Sequence, residues 1–284
     1  MVCTEKFDRF VVFFIFSFVL ALLFLFNNSF AAIYVETPLV SSSTVNPGDS
    51  FTVKANVTEI NGISFIYNTN VTCVGSGGTE GTDNWDSYTK LNASVGWTVI
   101  NTTTIEVNAT ITLNTSSING TWTCKVYGNN TSSESAFESV NQPSVNTRVG
   151  IIISQSSCTF AGGNPGSNNN AWSCGGSAYN RYTHDGNTGM NITINGTDLI
   201  GVTDNSWVIA AGNVTYKNVT SEAGAPSLPG IALTTTETDL QPIWGRGTYP
   251  TKNANDLYCW LNYPTPLKYQ TYGGTLTLTV KQAN

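Results

Sequence analysis

The chain has 284 residues, only 11% of them charged, and a formal net charge of −6. No stripe of Lys or Arg occurs along it, which argues against nucleic acid as a partner, because phosphate recognition needs clustered cations. Charged residues make up about a quarter of an ordinary soluble protein. Here Thr, Ser, Asn and Gly take over the solvating role, an exchange that suits exposed strands.

Lys6 and Arg9 precede an apolar run from Phe10 to Phe26 that only Ser17 interrupts. Ser29-Phe-Ala31 has the small-x-small form of an export cleavage site. Residues 1–31 are therefore read as a signal peptide cut after Ala31, or as an uncleaved anchor helix with its basic end inside. Both readings place the rest of the chain outside the cell or at its surface, with membrane contact only through an uncleaved N-terminal segment. Cys3 belongs to this leader. Cys73, Cys124, Cys158, Cys174 and Cys259 remain, and cysteines of an exported β-rich chain usually pair.

Residues 32–148 read as a first β-sandwich. In Thr104–Leu113, Ile105, Val107, Ala109, Ile111 and Leu113 share one face and polar residues share the other. Phe51, Val53, Ala55 and Val57 repeat the pattern, and period two over such lengths marks half-buried strands. Asn46-Pro-Gly-Asp49 is a turn signal ahead of the second of these. Further strands are expected over Ile63–Val74 and Thr121–Tyr127. Cys73 and Cys124 sit mid-strand, pointing inward with their apolar neighbours. Their spacing suits a bridge between the two sheets of an immunoglobulin-like sandwich, with Trp85 or Trp97 as its core tryptophan. The segment Asn119-Gly-Thr-Trp-Thr-Cys124 resembles the Gly-x-Tyr-x-Cys of an immunoglobulin F strand, Trp122 standing where tyrosine would. The stretch from Asn46 to Val57 is similar to the opening of Ig-like modules in prokaryotic, especially archaeal, surface proteins.

Residues 149–284 read as a second sandwich. Val149–Ser154 opens it, Met190, Ile192 and Ile194 alternate with polar neighbours, Val214 and Tyr216 do likewise, and Leu276, Leu278 and Val280 give the last strand. Gly162–Asn170 and 223–230 are loops by composition. The succession Cys158–Gly166, Asp185–Gly189, Asn191–Leu199, Tyr258–Pro264 and Tyr272–Val280 is similar to Ig-like modules that end secreted archaeal proteins. That resemblance implies architecture and location, and no catalytic residue. Cys158 and Cys174 flank a Gly/Asn-rich loop and are expected to pair; pairing of either with Cys259 is the alternative. The fold expected for the whole is all-β, two tandem immunoglobulin-like sandwiches after a signal or anchor helix.

Asn-x-Ser/Thr sequons follow the leader at Asn56, Asn70, Asn92, Asn101, Asn108, Asn114, Asn119, Asn129, Asn130, Asn191, Asn195, Asn213 and Asn218. Composition alone explains many of them, but the first sandwich holds an excess. Glycans are expected at several, with Asn129 and Asn130 too close for both to be occupied. Catalytic chemistry finds little support. His184 is the only histidine, zinc would want more ligands, and no carboxylate pair stands out. Loop calcium is the one cofactor considered, at Asp83–Asp86, Asp185–Asn187 or Asp204-Asn205; turn-forming Asx is the plainer reading. The expected function is a non-enzymatic structural or interaction glycoprotein of the surface, a coat or filament subunit, associating with other surface proteins or with itself. The alternative is a carbohydrate-binding or adhesion module using Trp260, Tyr258 and Trp244, whose flat rings suit sugars. Strand donation from Ala32–Leu39 is one route to assembly, unless that segment is the first strand of its own domain.

Overall fold

The computed structural model describes residues 32–220 and 226–283. The expected leader, residues 1–31, lies outside the described residues, as does the start of the 223–230 loop. The described chain is almost wholly β, without an α-helix, and is organised into several mainly antiparallel sheets.

Strands β1 (Ile33–Val35), β2 (Leu39–Val40), β3 (Thr44–Val45), β4 (Ser50–Glu59), β5 (Ile66–Val74) and β6 (Ser87–Lys90) come first. They are followed by β7 (Gly96–Val99), β8 (Thr104–Thr112), β9 (Gly120–Thr121), β10 (Thr123–Asn130), β11 (Ser135–Val140) and β12 (Ser144–Val145). One sheet runs β1-β4-β8-β7 with β2 beside β4; the other runs β11-β10-β5-β6; β3, β12 and β9 form a small third sheet. The β4–β8 ladder pairs Ser50 with Thr112 through to Thr58 with Thr104, so Phe51, Val53, Ala55 and Val57 share a buried face with Ile105, Val107, Ala109 and Ile111. The strand expected from Ile63 begins only at Ile66, because Ile63–Phe65 form a 3-10 turn. The Asn46–Asp49 turn forms as its sequence dictates: Gly48 takes φ 95° and Asp49 N–H donates to Asn46 O at 3.0 Å. Ile33–Val35 pairs with β4 of its own chain and so serves as a first strand.

Cys73 and Cys124 are disulfide-bonded. They face each other in the β5–β10 ladder, with Cα atoms 4.0 Å apart, so the bridge lies within one sheet and the expected inter-sheet tie is corrected. The cause is local: the two cysteines occupy opposed positions on neighbouring strands. Packing joins the two sheets instead. At Gly128 an added Cβ would lie 2.8 Å from Val57, which shows how closely β10 approaches β4. The core tryptophan is neither of those expected. Trp97 is 41% exposed on edge strand β7, whereas Trp122 is fully enclosed, stacked on Tyr88 with its Nε1–H donating to Ile118 O at 2.9 Å. The indole thus makes the upstream backbone contact that a tyrosine hydroxyl makes in an immunoglobulin F strand.

The remaining strands are β13 (Ile151–Ile153), β14 (Thr159–Phe160), β15 (Asn170–Ser173), β16 (Asn180–His184), β17 (Met190–Gly196), β18 (Leu199–Gly201) and β19 (Val208–Ile209). Then come β20 (Val214–Thr220), β21 (Ile231–Ala232), β22 (Thr238–Trp244), β23 (Gly247–Thr248), β24 (Thr251–Lys252), β25 (Ala254–Leu261), β26 (Tyr272–Gly273) and β27 (Leu276–Gln282). Among the described residues these pair only with one another, and a second apolar cluster forms between the sheet centred on β25 and the sheet β22-β17-β27. The order β13-β16-β25-β20 does not repeat that of the first strand set. Cys158 and Cys174 are disulfide-bonded, and Cys259 is a buried free thiol whose pKa burial pushes up.

Trp122→Phe removes the donor to Ile118 O and opens a void, so unfolding free energy should fall by about 2–3 kcal/mol. Urea denaturation measures it; a loss under about 0.5 kcal/mol would mean the indole is not what closes this core.

Candidate functional site

Two of the acidic residues singled out by sequence, Asp86 and Asp185, lie where the two strand sets meet. Arg246, next to the β23–β24 hairpin, forms a bidentate pair with Asp86 of the first set and also donates to Ser116 O. Lys252 of β24 reaches Thr115 Oγ1 at 2.6 Å and Asp185 Oδ1 at 2.7 Å. Thr115 itself donates to Asp185 Oδ1 at 2.7 Å, and Arg148 Nη2 approaches Asp185 Oδ2 at 2.6 Å. Trp85 packs edge-on against Tyr249 at 5.7 Å between centroids, so it belongs to this junction and not to the first core. Burial acts to raise the Asp185 pKa, but hydrogen bonds from Lys252, Thr115 and Arg148 together outweigh it and hold the carboxyl well below its ordinary range.

His184 is enclosed beside this network. Its Nδ1 faces the Gly186 N–H at 3.2 Å and must accept, so Nε2 carries the proton and donates to Thr188 O at 3.0 Å. Burial lowers the His184 pKa, and the nearby Lys252 and Arg246 charges act in the same direction. Asp185 makes its bonds away from the ring, so no nucleophile–base–acid relay is assembled there. The calcium candidates are likewise engaged. Asp83 accepts Thr89 N–H at 2.9 Å, and Asp204 binds Lys268 and Ser206, which hold its pKa at about 2. Among the described residues no group of three or more His, Cys, Asp or Glu side chains is placed to hold a metal.

The three aromatic residues considered for sugar binding present no open ring face. Trp244 lies in the second core, in contact with Tyr182 and His184. Tyr258 and Trp260 stack on each other on the opposite face of β25, yet are only 6% and 7% exposed. Tyr179 packs on Tyr258 and in turn carries Arg181, while Lys217, opposite Tyr258 in the ladder, donates to Ser227 O at 2.6 Å. An open feature of this half is a cleft of about 340 Å³ between its sheets, which sequence reasoning missed. Phe160, Trp172, Leu257, Cys259, Leu276 and Leu278 line it, and none of its lining residues is charged. Only the half-burial of β27 hints at it, and burial is not written in the alternation itself.

The sequons fall into distinct settings. Asn92, Asn101 and Asn119 are exposed in loops and turns. Asn130 is 3% exposed and donates to Glu59 and Glu134, which leaves Asn129 as the accessible one of that pair. Asn56 and Asn218 use Nδ2 on Glu36 and Gln241, both at 2.9 Å. Asn70, Asn108, Asn114, Asn191, Asn195 and Asn213 are half-buried.

No family model and no curated protein matches the chain. Among solved structures, a DUF4785 family protein from Legionella pneumophila aligns at 9% identity over 90% of this chain and 49% of its own, with a TM-score of 0.27. The chain thus spans about half the length of that protein. A DUF4466 family protein from Parabacteroides merdae aligns at 8% identity over 81% of this chain and 99% of its own, TM-score 0.27. Collagen adhesin from S. aureus aligns at 12% identity over 88% and 96%, TM-score 0.18. Likenesses this weak carry no argument about function.

Stability should fall with acid in two steps. His184 is depressed from 6.5, so unfolded chains bind its proton first and stability, full above about pH 6.5, declines below it. Asp185 is depressed from 3.8, so its contribution is intact above about pH 4 and is lost as pH falls towards the folded value. Asp185→Asn should cost about 2–4 kcal/mol at pH 7 and shrink the lower step, to which the depressed carboxyls of Asp204, Glu80 and Glu237 also contribute, leaving the upper one in place. Urea midpoints measured from pH 8 to pH 2 test this; an unchanged lower step in the variant would exclude Asp185 as its source.

Proposed function

We propose that the chain is a non-enzymatic structural or interaction glycoprotein, exported to the cell surface, where it serves as a coat or filament subunit. The observation that carries this reading is the placement of Asn92, Asn101 and Asn119, three exposed sequons on a half that carries its own disulfide. Glycans attached there would stand clear of the strand ladders. The leader expected over residues 1–31 supports the same compartment. Two immunoglobulin-like sandwiches, residues 32–148 and 149–284, are the architecture we assign. For the first, support comes from the order β1-β4-β8-β7 facing β11-β10-β5-β6, which corresponds to A-B-E-D facing G-F-C and one added strand. For the second, support is limited to two sheets facing across one apolar cluster, since its strand order differs.

A subunit that bears load needs its halves held in a fixed relation, and the Asp86–Arg246 pair, with the hydrogen bonds of Thr115 to Asp185 and Lys252, supplies that relation. Partners in this reading are other surface proteins or further copies of the chain. Intact and non-reduced peptide mass spectrometry of the native protein tests it. The expected result is a chain starting at Ala32, with hexose on peptides bearing Asn92, Asn101 or Asn119. Crosslinks Cys73–Cys124 and Cys158–Cys174 should be present, with Cys259 alkylated only after denaturation. An unmodified chain starting at Met1 with all cysteines free would overturn the proposal.

A further inference from the structure

The two halves treat their last strands differently. In the first, β12 pairs in parallel with β3, and Val45 of β3 is buried in the core, so an early strand covers that side of the sandwich. In the second, β27 is several residues longer, yet among the described residues it pairs only with β17. Thr197 N–H donates to Thr275 O at 2.8 Å and Ala283 N–H to Gly189 O at 3.0 Å, so the odd-numbered positions of β27 bond towards β17. By alternation, the N–H and C=O groups of Leu276, Leu278 and Val280 point to the outer edge. Their side chains remain only half-buried, and Leu276 and Leu278 line the cleft. Facing this gap on the other sheet is β13, also an edge strand, with Ile152 and Ile153 exposed.

We propose that the β27 edge and the adjoining cleft are an acceptor site for an extended polypeptide strand carrying uncharged apolar side chains at alternate positions. Three observations select this occupant. A row of outward backbone donors and acceptors asks for a strand, because main-chain pairing is what such an edge lacks. The last strand of the first half, β12, is covered by a strand in that way. The cleft lining carries no charge, and Phe160, Trp172, Leu257, Leu276 and Leu278 give inserted side chains apolar contacts, so uncharged, apolar side chains suit it. A cavity of about 150 Å³ accepts a benzene-sized group, so the cleft takes about two large side chains. A strand added along β27 delivers them from every second residue. The inference goes beyond the proposed function and stands whether or not the chain is exported or glycosylated.

Hydrogen exchange of the full chain, read at the Leu278 and Val280 amides, tests the site. The probe is the peptide Lys-Thr-Val-Thr-Val-Thr-Val-Thr-Lys, compared with the same peptide N-methylated on alternate backbone nitrogens. The unmodified peptide should slow both amides by about tenfold or more, the N-methylated one should not, and Leu278→Lys should abolish the effect. If L278K fails to fold, the two peptides on the wild-type chain still decide. Slow exchange without peptide that appears only in concentrated solution, together with sedimentation as an oligomer, would also support the proposal, with a second copy supplying the strand. Equal protection by both peptides, or displacement of the unmodified peptide by anilinonaphthalene sulfonate without edge protection, would make the cleft a small-molecule pocket and overturn it. Amides already slow in a dilute monomer would overturn it as well.

Discussion

A single buried carboxylate fixes how the two halves of this chain are joined. Asp185 accepts from Thr115 in the first strand set, from Arg148 in the connecting segment and from Lys252 on the β23–β24 hairpin. Taking a carboxylate out of water costs several kcal/mol unless donors replace the lost hydration, and three charged or polar donors converge to do so. Because those donors come from three separate segments, Asp185 is satisfied only when all three are in place. The connecting segment is held further by Arg148 N–H on Asn187 Oδ1 at 2.7 Å and Asp185 N–H on Gly150 O at 2.7 Å. Domains linked by a short free segment move relative to each other by default; here the segment itself is part of the polar network. In so weakly charged a chain, three of the eight ion pairs found among the described residues fall at this junction. Ionic contacts are therefore concentrated where the two strand sets meet, beside the Trp85–Tyr249 contact.

Within each half, by contrast, cohesion is apolar. The Cys73–Cys124 bridge lies inside one sheet, so it stiffens the β5–β10 pair without tying the sheets to each other. That task passes to side chains that cross the gap, Trp122 above all, and its indole reaches Ile118 O without leaving the core. Tyr88 extends the same contact outward, since it stacks on Trp122 and its hydroxyl serves Ser117 and the Asn114 N–H at 2.8 and 2.7 Å. From there the loop 114–118 continues into the junction through Thr115 and Ser116. Core and junction are thus linked through one short loop, and each constrains the other.

The elements legible from sequence are those with one wet face. Thr104–Thr112 and Ser50–Glu59 announce themselves because burial on one side imposes period two on composition. Strand β25 does not, since Asn255 to Leu261 are buried on both faces and alternation carries no information there. Tyr258 and Trp260 could be assigned to the face opposite Cys259, but nothing local says that this face is also covered. The junction was invisible for another reason. Asp86 and Arg246 are 160 positions apart, and each reads alone as a turn acid or a surface cation. Trp85, beside Asp86, carries the same ambiguity, which is why it was expected in a core and is found against Tyr249. Disulfide partners were readable as pairs, yet the sheet they share was not, because spacing does not fix strand order.

What the two halves share is composition; what separates them is closure. A sheet edge is usually protected by charge, proline, a bulge or a covering segment. Strand β27 has Lys281 near its end, but that ammonium is bonded to Glu237 at 2.7 Å, and Leu276 to Val280 carry no charge. Strand β13 is three isoleucines. In a chain so poor in charge, edges of this kind favour association with another strand, and natural sequences leave them unguarded where pairing is tolerated or used. The first half shows that the same chain can cover such a side from within, through β3. The second half lacks an equivalent segment among the described residues, and its core consequently ends in an uncharged cleft and not in a closed seam.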